Sequence, residues 1–185
     1  NGFDKKSLTI LKKRKNLRII DSSNLKEKSK INYSNRFNTI LVQDSDNINF
    51  TKKNFRVVSK KKPSNELLNK LIFAFNVCRN VKSNAIVITK DYKTVGIGSG
   101  QSSRLDSCKI AIDKMKKFQR STDNDDLLAA SDAFFPFVDG LETLVQAGVT
   151  GVIQPSGSKN DKEIIKFANQ TGTILVFSHT RHFNH

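Results

Sequence analysis

The sequence predicts an α/β fold, a layered sandwich around a mixed β-sheet that follows an incomplete basic segment. Three observations predict it. From Leu127 onward, apolar strands alternate with amphipathic helices, which favours parallel neighbouring strands joined by right-handed crossovers. Apolar runs at 85–89 and 94–98 flank a short polar turn, as in an antiparallel hairpin. Ser, Asp or Asn residues stand at the expected helix N-caps.

Charge divides the chain near residue 62. Residues 1–62 carry 17 Lys or Arg against 5 Asp or Glu, whereas residues 63–185 carry 15 against 12. We therefore expect a basic segment over 1–62, from the preceding part of a larger domain, and an α/β subdomain over 63–185. Lysine outnumbers arginine by 24 to 8, and lysine is typical of a solvated surface. A field that attracts polyanions is the alternative.

The basic segment has few apolar residues and encloses no core by itself. Its predicted elements, in order, are a helix from the cap Asp4 to Lys15, a strand at 17–20, a polar loop over 21–37, and strands at 39–43 and 54–58.

The subdomain shows sharper patterns. Its first predicted elements are a helix from the cap Ser64 to about Val81, a hairpin of strands 85–89 and 94–98, and a helix after Ser103. A polar connection over 121–126 then leads to a strand at 127–130. The chain continues with a helix capped by Asp139 and closed by Gly148, a strand at 149–153, a helix capped by Asn160 and ended by Gly172, and a strand at 174–177.

Unusual segments stand near the ends of these strands, where open α/β sheets bind ligands. Asn84 lies between a helix and a strand and offers both a donor and an acceptor to an amide-bearing ligand. A helix C-cap is the equally good alternative.

A glycine-rich segment at 96–104 ends in two serines and an arginine at a helix start. Its three alternating glycines would let the backbone approach a ligand, and free N–H groups at the helix start favour an anion. Arg104 is the informative residue, because a cation in the first turn of a helix is unfavourable without an anionic partner. An ordinary glycine-rich hairpin end is the alternative.

Three phenylalanines surround a proline at 134–137, between a strand and a helix. They would form an aromatic wall for a flat heterocycle, or a loop packed into the core. Asp139 has a structural role available as an N-cap, and Asp132 has one in a backbone turn.

Two further segments follow later strands, at 154–158 and 179–185, and the second holds all three histidines of the chain. Arg181 and the histidines could pair with phosphate or carboxylate, or the histidines could be exposed terminal residues. No Cys and His spacing typical of zinc occurs, so we expect no metal. Cys78 falls in an apolar helical pattern, and single reduced cysteines favour a cytoplasmic protein. We expect no membrane partner, because no apolar run is long enough to span one.

Five motifs together resemble one family, the AICAR transformylases. They are KSNAIV (82–87), GIGSGQSSR (96–104), ASDAFFPF (130–137), VIQPSGS (152–158) and RHFNH (181–185), with weaker similarity at ILKKRKNLRII (10–20) and LVQD (41–44). The resemblance covers essentially the whole chain. It implies transfer of a formyl group from the co-substrate 10-formyltetrahydrofolate to AICAR, in de novo purine (IMP) biosynthesis.

The resemblance also implies roles for individual residues. Asn84 would contact AICAR and take part in catalysis. The substrate-binding residues would be Arg104, Phe134 and Arg181. The residues on the folate side would be Pro136, Phe137 and Asp139. The fold implied is a cytidine-deaminase-like unit without catalytic zinc, in a homodimer whose active sites lie between subunits.

The sequence departs from the family pattern at Val138, where many relatives have arginine, and at Ser99, where alanine is usual. The family's Lys-His pair for proton transfer and its cyclohydrolase domain do not occur in these residues. We therefore expect this polypeptide to be inactive alone. The alternatives are a basic nucleic-acid-binding module, which steeply salt-dependent RNA affinity would indicate, and a non-catalytic partner subunit.

Overall fold

The computed structural model describes residues 2–24, 30–48, 50–118 and 126–184. The chain forms two compact units, Asn1–Asn47 and Ile48–His185. Residues 48–62, which the charge pattern grouped with the basic segment, therefore belong to the second unit. The reason is backbone pairing, because the strand Phe55–Val57 pairs antiparallel with the strand Ile174–Ser178.

The first unit contains one helix and one hairpin in its described part. Helix α1 (Lys5–Leu11) begins after Asp4, whose carboxylate accepts from the Ser7 N–H at 2.9 Å, as predicted, but it ends before Lys15. Strands β1 (Ile31–Arg36) and β2 (Thr39–Asp44) pair antiparallel.

Two predictions for this unit are wrong. Residues 17–20 lie in neither a helix nor a strand. The predicted polar loop over 21–37 contains β1, because pairing with β2 satisfies the backbone of a segment that lacks apolar alternation. Residues 25–29 of that loop, and 121–125 of the predicted polar connection, lie outside the described residues.

The second unit is built on a six-stranded mixed sheet. Its elements, after a short 3₁₀ helix at Lys52–Asn54, are β3 (Phe55–Val57), α2 (Asn65–Cys78), β4 (Ile86–Lys90), β5 (Lys93–Gly98), α3 (Arg104–Phe118), β6 (Leu127–Ser131), α4 (Val138–Gln146), β7 (Val149–Pro155), α5 (Asp161–Gln170) and β8 (Ile174–Ser178). The strand order is β3-β8-β7-β6-β4-β5. The run β6-β7-β8 is parallel and the remaining pairs are antiparallel. The predicted layered α/β class with a mixed sheet is confirmed.

Apolar side chains cover both faces of this sheet. Val87 packs with Leu71, Phe75 and other residues of α2 on one face. Its strand neighbours Ile86 and Ile88 pack on the opposite face, in a cluster that includes residues of α3, α4 and α5. Because successive strand residues point to opposite faces, one helix layer lies on each side of the sheet. None of the helices in the described part of the chain has the length and apolar composition that a membrane span requires.

The helix caps agree with the sequence in part. Ser64 caps α2, accepting from the Leu67 N–H at 3.1 Å. The prediction for Asp139 is wrong, because the N-cap of α4 lies two residues earlier, at Phe137, and the Asp139 carboxylate accepts from the adjacent Gly140 N–H. Asn160 occupies the N-cap of α5 but makes no capping bond with its side chain.

Candidate functional site

The strand register places the unusual segments of the second unit at one edge of the sheet. Ile86, two residues after Asn84, pairs with Gly98 of β5 and with Ser131 of β6. The parallel strands β7 and β8 end at the same edge. Asn84 precedes β4 rather than following it. Because β4 runs antiparallel to β6, the amino end of β4 lies beside the carboxyl end of β6, and Asn84 therefore lies at the same edge.

A cavity of about 540 Å³ opens at this edge. All seven residues that the resemblance assigned to the site line it: Asn84, Arg104, Phe134, Pro136, Phe137, Asp139 and Arg181. They come from four separate parts of the chain. Whether each plays its implied role stays a prediction.

Arg104 lies deep in the wall of this cavity, where its anionic partner is a residue of the same chain. Its Nη1 forms an ion pair with Asp132 Oδ1 and also donates to Ser131 Oγ at 2.9 Å. The Arg104 side chain is 10% exposed and that of Asp132 is 1% exposed. The sequence predicted an anion beside Arg104, and in the structure this anion is the Asp132 carboxylate.

Asn84 is held by contacts on both ends of its side-chain amide. Its Nδ2 donates to the carbonyl oxygens of Gln101 at 3.0 Å and Ser102 at 3.1 Å. Its Oδ1 accepts from Arg104 Nη2 at 2.8 Å. The C-cap alternative is wrong, because α2 ends earlier and its C-cap is Arg79.

Two of the three glycines in the 96–104 segment serve packing rather than ligand approach. A Cβ atom at Gly96 would lie 2.0 Å from the Ala111 carbonyl oxygen, and one at Gly98 would lie 1.9 Å from that of Ser107. Strand β5 therefore packs directly against the backbone of α3. This contact places the first turn of α3, with Arg104, beside the sheet edge.

The aromatic residues divide between the core and the cavity. Phe135 is 1% exposed and packs in the core, where its ring lies against Gly140. Phe134 is half-buried, and Phe137 is 63% exposed. Phe135 thus packs into the core, as one alternative predicted. Phe134 and Phe137 line the cavity, and a role for them as a wall for a heterocycle stays a prediction.

Arg181 lies at the exposed side of the cavity, with its guanidinium carbon 4.6 Å from the centre of the Phe134 ring. This is the geometry of a cation–π contact. A Cβ atom at Gly157 would lie 3.2 Å from Arg181 Nη2, so the 154–158 segment also borders this side chain. The same segment is tied to the aromatic loop, since Asn160 Nδ2 donates to the Pro136 carbonyl at 2.6 Å.

The terminal segment, residues 179–184, runs without helix or strand beside the cavity. The His182 N–H donates to the Asp132 carbonyl at 2.8 Å, and the Ser83 N–H donates to that of Asn184 at 3.0 Å. The His182 side chain is buried, with its ring centre 4.5 Å from that of Phe75, so the phosphate-pairing alternative does not hold for this histidine.

Sequence reasoning missed several residues of the site. Ser131 and Asp132 hold Arg104, and Phe183 lines the cavity. The position of Arg104 indicated an anionic partner, but the sequence did not show whether that partner is Asp132 or a bound ligand. Among the described residues, no group of three His, Cys, Asp or Glu side chains is placed to hold a metal ion.

Comparison with known proteins assigns the chain to a family. A family model described as the AICARFT/IMPCHase bienzyme matches residues 1–114. The chain belongs to this family. A bifunctional purine biosynthesis protein PurH from Prochlorococcus marinus (strain AS9601) is 42% identical over 186 residues, which cover 100% of this chain and 35% of the relative. The PurH of Rhodospirillum rubrum is 46% identical over 151 residues, 79% of this chain and 29% of the relative.

The 185-residue chain thus spans about a third of the length of the relatives it matches. Among solved structures, the apo dCMP deaminase of the cyanophage S-TIM5 aligns with a TM-score of 0.38 and 17% identity, covering 61% of this chain and 98% of that one. This TM-score is too low to support a conclusion about function.

Proposed function

We propose that the cavity is part of an AICAR transformylase site, which transfers a formyl group from 10-formyltetrahydrofolate to AICAR in purine biosynthesis. The observation that carries the proposal is the convergence of the seven predicted site residues on one cavity of about 540 Å³. Ligand pockets are commonly of this size, with apolar and aromatic walls and a few polar groups.

Arg181 is the residue proposed to hold the nucleotide phosphate. Its guanidinium is exposed at the cavity and lies on the Phe134 ring. A planar guanidinium pairs well with phosphate oxygens while keeping its stacking contact with an aromatic ring. Phe134 then lies beside the same substrate, where its ring would pack on the imidazole base.

The folate would lie against Pro136, Phe137 and Asp139. Pro136 and Phe137 are exposed on the same loop, and both line the cavity. An exposed aromatic ring offers a flat apolar surface to a pterin, and the Asp139 carboxylate offers hydrogen-bond acceptors to its amino groups.

The reaction joins the AICAR amine to the formyl carbon. The new C–N bond forms as the bond between the formyl carbon and the folate nitrogen breaks, the amine loses a proton, and the folate nitrogen gains one. The amine is a weak nucleophile, because the ring carboxamide withdraws its electrons, so orientation and proton transfer must lower the barrier. Asn84 is the proposed catalytic contact to AICAR from this chain.

The remaining parts of the proposal concern the whole assembly. The co-substrate would be 10-formyltetrahydrofolate, and the active sites would lie between the subunits of a cytoplasmic homodimer. A formyl-transfer assay on the 185-residue chain alone is expected to give no ordinary turnover. Binding is therefore the decisive measurement for this polypeptide.

The test is calorimetric titration of AICAR, and of its nucleoside without phosphate, into the purified chain. Arg181→Ala should weaken AICAR binding by about 10- to 100-fold, the loss expected for a hydrogen bond to a charged group, and should leave nucleoside binding nearly unchanged. Arg56→Ala, which removes an exposed arginine from β3, is the matched control and should change neither affinity. Absence of AICAR binding to the wild-type chain, or equal losses for both ligands, would contradict the proposal.

A further inference from the structure

We infer that Asp132 is a positioning residue, which through Arg104 fixes the Asn84 side chain so that Asn84 meets a ligand only as a hydrogen-bond acceptor. The identity of the ligand rests on the proposed function. The arrangement of the three side chains does not.

Arg104 is already bound to partners within the chain. Its Nη1 is taken by Asp132 and Ser131, and its Nη2 by Asn84. With a side chain only 10% exposed, Arg104 has little freedom to turn toward a bound anion without leaving Asp132 buried and unpaired. Breaking a buried ion pair in this way is strongly unfavourable. Arg104 therefore acts by orienting its neighbours.

Asp132 is itself held in place by its backbone. Its backbone N–H donates to the Ala85 carbonyl at 3.2 Å, and its carbonyl accepts from His182. Its Oδ2 is buried and has no hydrogen-bond partner among the residues that the structure describes. Arg104 thus supplies the counter-charge to a carboxylate whose backbone is hydrogen-bonded to the segments that carry Asn84 and Arg181.

The Asn84 side-chain amide uses most of its hydrogen-bonding capacity within the chain. Both Nδ2 hydrogens are used by the carbonyls of Gln101 and Ser102, and Oδ1 uses one of its two lone pairs for Arg104. A reversed amide would place its NH₂ against the guanidinium and its oxygen against two carbonyl oxygens. The one remaining capacity is a lone pair on Oδ1.

A lone pair at this position accepts from an N–H or O–H group of a ligand. In the proposed reaction the attacking group is an amine, which carries such hydrogens before the new bond forms. Asn84 can therefore hold the amine by one hydrogen, leaving the nitrogen lone pair directed at the formyl carbon. The chemistry selected at this end of the cavity is a hydrogen-bond donor, which in the proposed reaction is the AICAR amine.

The experiment follows the Asn84 side-chain amide by ¹H–¹⁵N NMR of the whole chain, with the signal assigned by its loss in Asn84→Asp. Asp132→Asn removes the counter-charge, and Arg104→Lys keeps a positive charge but lacks the two-pronged geometry. Both should shift the Asn84 signal and raise the Kd for AICAR about tenfold. Asp106→Asn, an exposed aspartate on the same helix, is the matched control and should move neither.

The double variant Asp132→Asn/Arg104→Lys separates positioning from general destabilisation. If Asp132 and Arg104 act as one unit, the double variant should raise the Kd for AICAR no more than either single variant does. If their effects are independent, the two tenfold losses should multiply to about a hundredfold. An unshifted Asn84 signal in either single variant, or multiplied losses, overturns the inference. If Asp132→Asn does not fold, Arg104→Lys decides it. Failure of the wild-type chain to bind AICAR would overturn the proposed function. The Asn84 signal would still test whether Asp132 and Arg104 position Asn84.

Discussion

Replacement of Gly98 by alanine tests the close contact between β5 and α3. The new methyl group would lie 1.9 Å from the Ser107 carbonyl oxygen and 2.6 and 2.7 Å from the carbonyl and α-carbons of Ser107. These atoms belong to helix backbone, so no side chain can rotate away and the whole helix must retreat by more than an ångström. Overpacking usually costs about 1–3 kcal/mol, and a rigid backbone contact belongs at or above the upper end of that range.

The assay is thermal and urea unfolding followed by circular dichroism. A loss of about 3 kcal/mol should lower the Tm by roughly 6–12 °C for a chain of this size. Gly172→Ala is the matched control, because its φ of 66° disfavours alanine but no atom lies within 4 Å of the new methyl group. It should cost only about 1 kcal/mol. If Gly98→Ala is no more destabilising than Gly172→Ala, the close packing described for α3 is wrong.

Two other predictions concern buried side chains. Burial raises the pKa of the Cys108 thiol to about 12, so it should remain protonated at pH 8 and react with iodoacetamide at least about a hundredfold more slowly in the folded chain than in urea, as measured by mass spectrometry. Equal rates would contradict its burial. Phe135→Ala should cost about 3–5 kcal/mol in urea unfolding, whereas Phe137→Ala, at an exposed position, should stay within about 0.5 kcal/mol. Similar losses of unfolding free energy in the two variants would contradict the burial of Phe135 and the exposure of Phe137.

The elements with strong local signals could be predicted from the sequence. The start of α2 followed from Ser64 and from apolar residues at helical spacing, and the alternation after Leu127 indicated the parallel strands β6, β7 and β8. The hairpin of β1 and β2 could not be predicted in full, because β1 contains only two apolar residues, Ile31 and Tyr33, which are too few to indicate a strand. Its strand conformation comes from pairing with β2.

The candidate site shows a similar division. Strand ends and unusual residues indicated one edge of the sheet, and the residues implied by the resemblance line one cavity there. The sequence could not show that the partner of Arg104 is Asp132, 28 positions away, since that contact exists only after β6 aligns with β4. Nor could it show whether the glycines of β5 approach a ligand or a helix, because both contacts require the same absence of a side chain.

The terminal segment has a consequence for how loss of function in this protein would be recognised. Arg181, the His182 contact to Asp132 and the Asn184 contact to Ser83 all lie in the last few described residues. Trimming these residues would leave the sheet and most of both apolar clusters in place while removing one wall of the cavity. A screen that scores only expression or solubility reports on the sheet and its apolar clusters, so it would not detect the loss of this wall.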